Sequence, residues 1–281
     1  MPEGDTLYRT AAGLRPFLLG RVVTAATVRE PGAGAGARVD RIVGSEVTGV
    51  DAQGKNLLIR FANGLEIRTH LGMHGSWHRY RPGERWKRPA ARARLILEVE
   101  GSVAVCFDAP TVELFEQRAE GLHGSLSALG PDLLRDPFDE AEALRRLRAP
   151  ARAEMTIAQA LLDQRALAGI GNVYKSEVLF IERVSPFARV ADVDDGTLAR
   201  LVDTARRLLR ANAFSPAPGA ERVTTGGARA ADGPLWAYGR GGRPCRRCGT
   251  PIASEVQGEA TDLPRLTYWC PACQPDPRSP R

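Results

Sequence analysis

Between residues 5 and 19, apolar side chains recur at Leu7, Ala11, Leu14 and Leu18, the spacing of one helix face. Asp5 suits the N-cap of this helix and Gly20 its end. From residue 21 to 116 the pattern shortens to β-branched stretches at 21–28, 46–50, 57–61 and 65–69, separated by turn residues. Asn63-Gly64 predicts a two-strand hairpin, and residues 94–99 and 103–107 predict a second one around Gly101. Short strands at this spacing indicate a β-sandwich or barrel. Beyond residues 121–131 helical spacing returns, over 139–147, 156–162, 172–181 and 196–211. Gly32 to Gly36 reads as a flexible loop, and the Pro/Gly/Ala/Thr-rich stretch 214–233 as a lid or linker. The expected fold class is α+β and multidomain. A helix and β-sandwich over 1–120 are followed by a helical domain over 121–235 and a cysteine-bearing segment over 236–281.

Composition narrows the function classes. A chain of 281 residues has length for two real cores. It contains no run of eighteen apolar residues and no basic-then-apolar leader, which excludes a simple membrane span and points to the cytoplasm. The net charge is +6, unevenly spread: from Arg206 to Arg281 twelve arginines face six acidic residues, and the remainder balances. A phosphate-facing patch and a solvated basic surface fit that excess equally. Only Lys55, Lys87 and Lys175 are lysines, against thirty-six arginines, so few side-chain amines are available for imine chemistry.

Chemistry-bearing residues are scattered along the chain. If Met1 is removed, Pro2 becomes an N-terminal secondary amine, with a pKa of roughly 8 for an α-amino group. Such an amine can attack an electrophilic carbon and form an imine, and the adjacent Glu3 can move protons. Both sit at the positive end of the first helix. Lys55 in Gln53-Gly54-Lys55-Asn56 is either an exposed turn lysine or a phosphate contact. His70, His74 and His78 are four apart, but Gly72 and Gly75 break any helix there and no cysteine or carboxylate completes a metal set. Met73, on the same stretch, is either core or an apolar wedge between bases. Cys106 reads as a buried small hydrophobe. Gly169-Ile170-Gly171-Asn172 opens a helix with two glycines, an arrangement that suits a phosphate. Cys245-x2-Cys248 and Cys270-x2-Cys273, twenty-one residues apart, have the spacing of one structural four-thiolate zinc site on a β-hairpin finger.

Four separated motifs then agree. Pro2-Glu3-Gly4, Gly54-Lys55-x-Leu-Leu, Leu161-Leu-Asp-Gln-x4-Ala168-Gly-Ile-Gly-Asn172, and Tyr238-Gly-Arg before the cysteines run in one order along the chain. Together they resemble the formamidopyrimidine-DNA glycosylase/endonuclease VIII family. The resemblance implies an N-terminal helix and β-sandwich, a helix–two-turn–helix domain and a zinc finger. It further implies a bifunctional DNA glycosylase and abasic-site lyase of base excision repair, acting as a monomer on damaged DNA with one structural Zn2+. Pro2 would attack C1′ and form a Schiff base, and Glu3 would protonate the sugar ring oxygen. Lys55, itself part of the catalytic set, Asn172 and Arg265 would grip phosphates flanking the lesion, and Met73 would fill the gap left by the extruded nucleotide. Thr6 stands where the family often has a second glutamate, and residues 108–115 lack the arginine of the formamidopyrimidine branch. The endonuclease VIII branch, and oxidised pyrimidines or ring-opened and further-oxidised purines, are therefore expected. A catalytically inactive DNA- or RNA-binding protein of the same fold is the alternative.

Overall fold

The structure is a computed structural model describing residues 1–29, 38–215, 221–226, 233–257 and 265–278. The glycine-rich stretch 32–36 lies outside the described residues, as do 216–220 and 227–232 of the long loop. The chain forms two compact units, Met1–Ala128 and Leu129–Arg281.

In the first unit, α1 spans Gly4–Leu18 and buries Leu7, Ala11, Leu14 and Leu18, the face that the spacing predicts. Its N-cap is Glu3 and not Asp5: the Glu3 carbonyl accepts from the amides of Thr6 and Leu7, while Asp5 already lies in the first turn. The strands are β1 (Val23–Val28), β2 (Val47–Gln53), β3 (Asn56–Phe61), β4 (Leu65–His70), β5 (Ser76–Tyr80), β6 (Ala93–Val99), β7 (Ser102–Phe107) and β8 (Thr111–Glu116). They form two antiparallel sheets, ordered β1-β6-β7-β5 and β2-β3-β4-β8. Leu57, Ile59 and Ile67 of one sheet meet Leu95, Leu97 and Cys106 of the other in a single core. Burial pushes the Cys106 thiol far above its usual range, so it packs as a hydrophobe.

Helix α1 closes this core along edge strand β2 and runs antiparallel to it. The Gly20 amide donates to the Val47 carbonyl, and the Arg15 guanidinium donates to the Val50 carbonyl further along. At ~1.5 Å per helical residue and ~3.3 Å per strand residue, the helix N-terminus lies roughly 24 Å and the end of β2 roughly 20 Å from that shared anchor. Pro2 and Glu3 are thereby carried toward the β2–β3 turn that holds Lys55.

On the outer face of the second sheet, the Arg60 guanidinium sits among three carboxylates, Asp51 at 2.8 Å, Glu66 at 3.2 Å and Glu120 at 3.6 Å. Burial pushes Glu66 up to about 7 despite Arg60, with Glu120 and Asp51 adding to the rise. The unfolded chain therefore releases this proton near pH 4.5 and the folded chain only near 7. Stability contributed here falls as pH climbs through that window, by roughly 3 kcal/mol. We expect Glu66→Gln to gain stability relative to the wild type between pH 5 and 7.5, measured by urea unfolding at several pH values. A constant difference across that range would refute the assignment.

The short α2 (Gly124–Ser127) still belongs to the first unit, and Leu129 begins the second unit. Its own helices are α3 (Glu140–Leu147), α4 (Ile157–Leu162), α5 (Asn172–Ile181) and α6 (Asp195–Ala213). Sequence signals set their starts. Asp139 and Asp194 accept from backbone amides as N-caps, and Thr156 with Gln159 forms a capping box on α4. A two-stranded hairpin follows, β9 (Ala253–Gln257) with β10 (Arg265–Trp269). Among the described residues no helix is long and apolar enough to cross a membrane.

Candidate functional site

In the first unit, ladder pairing aligns one end of the second sheet. Asn56 opposes His70, and His70 opposes Thr111. This register places the Gly54-Lys55 turn, the Leu71–Gly75 turn and the 108–110 connection at one end, the end that α1 approaches. Gly54 adopts φ +56°, which lets the turn reverse within two residues and present Lys55 half-exposed. The Met73 turn is built from two glycines with separate reasons. Gly72 has φ +57°, and a Cβ at Gly75 would lie 2.4 Å from the Leu71 carbonyl oxygen, which accepts the Gly75 amide at 2.8 Å. Met73 itself is 52% exposed, so it is not part of the core.

At the start of α1, Pro2 is half-buried and Glu3 is fully buried. Glu3 occupies the N-cap position, yet its carboxylate makes no capping hydrogen bond. The helix is started by the Glu3 backbone, which leaves the side-chain acid outside the capping scheme. A carboxylate shielded from water in this way can exchange a proton with a group brought against it.

In the second unit, residues 163–171 connect α4 to α5 and are stapled by Gln164. Its amide nitrogen donates to the carbonyls of Leu162 and Ile170, and its oxygen accepts from the Gly169 amide. Gly169 takes φ +109°, a conformation that favours glycine. Asn172 opens α5 behind Gly171, is 6% exposed, and donates from Nδ2 to the Leu266 carbonyl at 2.8 Å. Its Oδ1 is buried, with no hydrogen-bond partner among the described residues. Leu266 follows Arg265, so Asn172 and Arg265 are brought together by a strand ninety residues downstream. The fully buried Lys175 adds a second bolt, donating to Thr267 Oγ1 at 2.7 Å, and Thr267 Oγ1 donates on to Gln257 at 2.9 Å. Met155, Gln159, Arg165, Lys175 and Arg265 line an open cleft of about 720 Å3 beside this join.

Two contributors escape the motif reading. Glu177, fully buried, accepts from the amides of Trp236, Ala237 and Tyr238 and from the Thr224 hydroxyl, and so holds the described flanks of the long loop to α5. Lys175 is the other. The available signals are a carboxylate directly before the apolar run 178–181 and one of only three lysines in the chain.

The four cysteines come together as their spacing predicts. Their sulfurs all lie within 4.8 Å, with Cys248 Sγ 3.5 Å from Cys270 and 3.6 Å from Cys273, and Cys245 4.0 Å from Cys273. Thiolates at ~2.3 Å from a tetrahedral zinc are roughly 3.8 Å apart, so the set fits one ion with no coordination position left over. Without a cation, burial and neighbouring sulfurs push Cys273 up to about 12. The finger is anchored to α5 by Arg247, whose guanidinium donates to the carbonyls of Phe180 (2.7 Å) and Ile181 (3.0 Å) at the helix end.

Comparison with known proteins covers nearly the whole chain. Residues 1–112 match the family model of the formamidopyrimidine-DNA glycosylase N-terminal domain. Residues 129–215 match that family's H2TH domain, and residues 242–275 match the zinc finger found in FPG and IleRS. A Streptomyces coelicolor protein named probable endonuclease 8 2 is 44% identical over 99% of this chain and 95% of its own length. A Mycolicibacterium smegmatis protein named DNA-(apurinic or apyrimidinic site) lyase Nei2 is 40% identical, over 98% and 99%. Among solved structures, Lactococcus lactis Fpg bound to DNA containing an oxidised pyrimidine superposes with TM-score 0.80 at 21% identity, over 98% of this chain and 100% of that one. That similarity is one of fold: helix and β-sandwich, H2TH domain, and zinc finger with its small hairpin.

Proposed function

The chain belongs to the formamidopyrimidine-DNA glycosylase/endonuclease VIII family, and we propose that it removes oxidised bases from DNA and cleaves the resulting abasic site through an imine on Pro2. One observation carries the reading: a half-buried imino acid precedes a fully buried glutamate whose carboxylate takes no part in capping its own helix.

In this reading Met1 is removed and the Pro2 nitrogen attacks C1′ of the damaged nucleotide. The C1′–base bond breaks, and the base leaves with its electron pair and takes up the proton that the Pro2 nitrogen sheds. Glu3 delivers its proton to the ring oxygen as the C1′–O4′ bond opens, leaving an iminium ion. Loss of a C2′ proton expels the 3′ phosphate by β-elimination, and a second elimination expels the 5′ phosphate. Water then hydrolyses the imine and returns the free amine. A secondary amine forms a cationic iminium with no proton to shed, so C2′ is acidified at once. Lys55 would hold a phosphate at the end of the sheet where this takes place, and Met73 would occupy the space vacated in the stack. The expected substrates are oxidised pyrimidines and ring-opened or further-oxidised purines, with the protein acting as a monomer in the cytoplasm, at the nucleoid.

Arg265 and Asn172 are assigned to phosphates flanking the lesion, and the join between α5 and β10 supports treating them as one unit. Arg265→Ala is expected to weaken binding to an abasic-analogue duplex and to flatten the plot of log K against log salt by about 0.9. An unchanged slope would remove Arg265 from the phosphate contacts. The alternative, a binding protein without chemistry, is favoured only if DNA binds and no covalent intermediate forms.

A further inference from the structure

The even charge balance of the first three-quarters of the chain conceals a dense local excess. Residues 79–94 hold seven basic side chains against one acidic, Glu84. Four of the seven have structural neighbours or shelter. Arg79 lies 3.7 Å over the Phe17 ring, Arg88 and Arg92 share Asp108 at 2.6 and 2.8 Å, and Arg94 is half-buried. Arg81, Arg85 and Lys87 are exposed, and among the described residues no carboxylate pairs with their side chains.

The segment is a built platform. A turn at Gly83 is closed by the Glu84 amide on the Arg81 carbonyl at 3.0 Å, and the Glu84 carboxylate accepts the Arg81 amide at 2.9 Å. Trp86 stacks on Tyr80 at 6.1 Å and meets Phe107 edge-on at 5.8 Å, and the Lys87 amide donates to the Tyr80 hydroxyl at 3.0 Å. Arg88 also donates to the His74 carbonyl at 3.1 Å, which ties the platform to the turn carrying Met73. Burial, then the charges of Arg88 and Lys87, hold the nearby His78 below its usual range, a sign of positive potential there. A backbone held in place by an aromatic pedestal presents its exposed cations without itself having to be ordered when an anion binds.

We propose that Arg81, Arg85 and Lys87 form a further phosphate-contacting surface, which grips duplex DNA by its backbone beyond the nucleotide under attack. The chemistry is that of a polyanion read without regard to sequence: three unneutralised cations on one rigid segment, beside the turn assigned to the stack. The proposal rests on the reading of this chain as a DNA enzyme.

The test is the triple variant Arg81→Ser, Arg85→Ser, Lys87→Ser, with all three positions exposed so that folding is little affected. Binding to undamaged and abasic-analogue duplexes is measured across a salt series. If the surface contacts three phosphates, the slope of log K against log salt flattens by about 2.7 and Kd rises at least about tenfold at moderate salt. Both duplexes should lose affinity by the same factor, and borohydride trapping at saturating protein should be unchanged. A control removes equal charge from Arg21, Arg38 and Arg118, which are exposed and ion-paired to Glu100, Asp40 and Glu116. An unchanged slope in the triple variant, an equal effect in the control, or a loss confined to the abasic duplex would each overturn the proposal. Failure of the wild type to bind or to be trapped would instead sink the enzymatic reading itself.

Discussion

Borohydride reduction in the presence of abasic-site DNA is expected to leave the protein covalently joined to the strand through Pro2, with Met1 absent. The expectation follows from the ordinary pKa of an α-amine, roughly 8, which leaves an appreciable fraction nucleophilic at neutral pH. Lysine side chains, near 10.4, are handicapped by comparison, and the chain has only three. Peptide mapping of the adduct tests the assignment. An adduct on Lys55 would transfer the nucleophile to the turn at the same end of the sheet, and no adduct from a zinc-loaded, Met1-free protein would favour a binding role. Glu3→Gln refines the result. A positioned general acid contributes about 10²–10⁴ in rate, so base removal should fall by that order. Cleavage of a pre-formed abasic site should fall far less, because its sugar is already open for part of the time and needs less help from an acid. Equal loss in the two assays would take Glu3 out of the ring-opening step.

Loss of the zinc site is expected to be the largest structural effect. Cys270→Ser should drop bound zinc from about one per chain toward none, since three thiolates leave a tetrahedral ion incompletely held. Structural zinc sites bind with apparent free energies of about 10–16 kcal/mol, which is also folding free energy for the finger that carries them. The consequence should spread beyond the knuckles. Arg247 lies next to Cys248 and caps the end of α5, while β10 carries Arg265 and meets Asn172 and Lys175 at the other end of that helix. DNA affinity should therefore fall by at least the full Arg265→Ala effect, read by anisotropy alongside zinc content. A zinc-free protein that binds DNA as tightly as the wild type would show the finger dispensable for binding.

Local signals made much of the fold legible. The period of α1, the Asn63-Gly64 hairpin, the capping residues of α3, α4 and α6, and the cysteine spacing all act over a few residues, and each structure formed where its signal lay. Strand β5 was not anticipated. It is an edge strand pairing only with β7, and its Ser-Trp-His-Arg-Tyr sequence mixes polar and aromatic residues on both faces. The N-cap is Glu3 rather than Asp5 because the Glu3 carbonyl already accepts from the amides of Thr6 and Leu7, which starts the helix two residues before the side-chain signal.

What the sequence determined by itself is the inventory: an imino acid beside a glutamate, a turn lysine, a glycine-bracketed methionine, and four cysteines in two knuckles. These are properties of composition and short spacing, which need no partner from elsewhere in the chain. Only the tertiary structure decided which of them share a location, because that depends on contacts between residues far apart in sequence. Asn172 reaches Leu266, Lys175 reaches Thr267, and Glu177 collects the amides of 236–238, each across dozens of residues. Burial, too, is set by that packing. It turned Glu3 and Lys175 from ordinary charged residues into shielded ones, and it left Arg81, Arg85 and Lys87 on a fixed platform facing water.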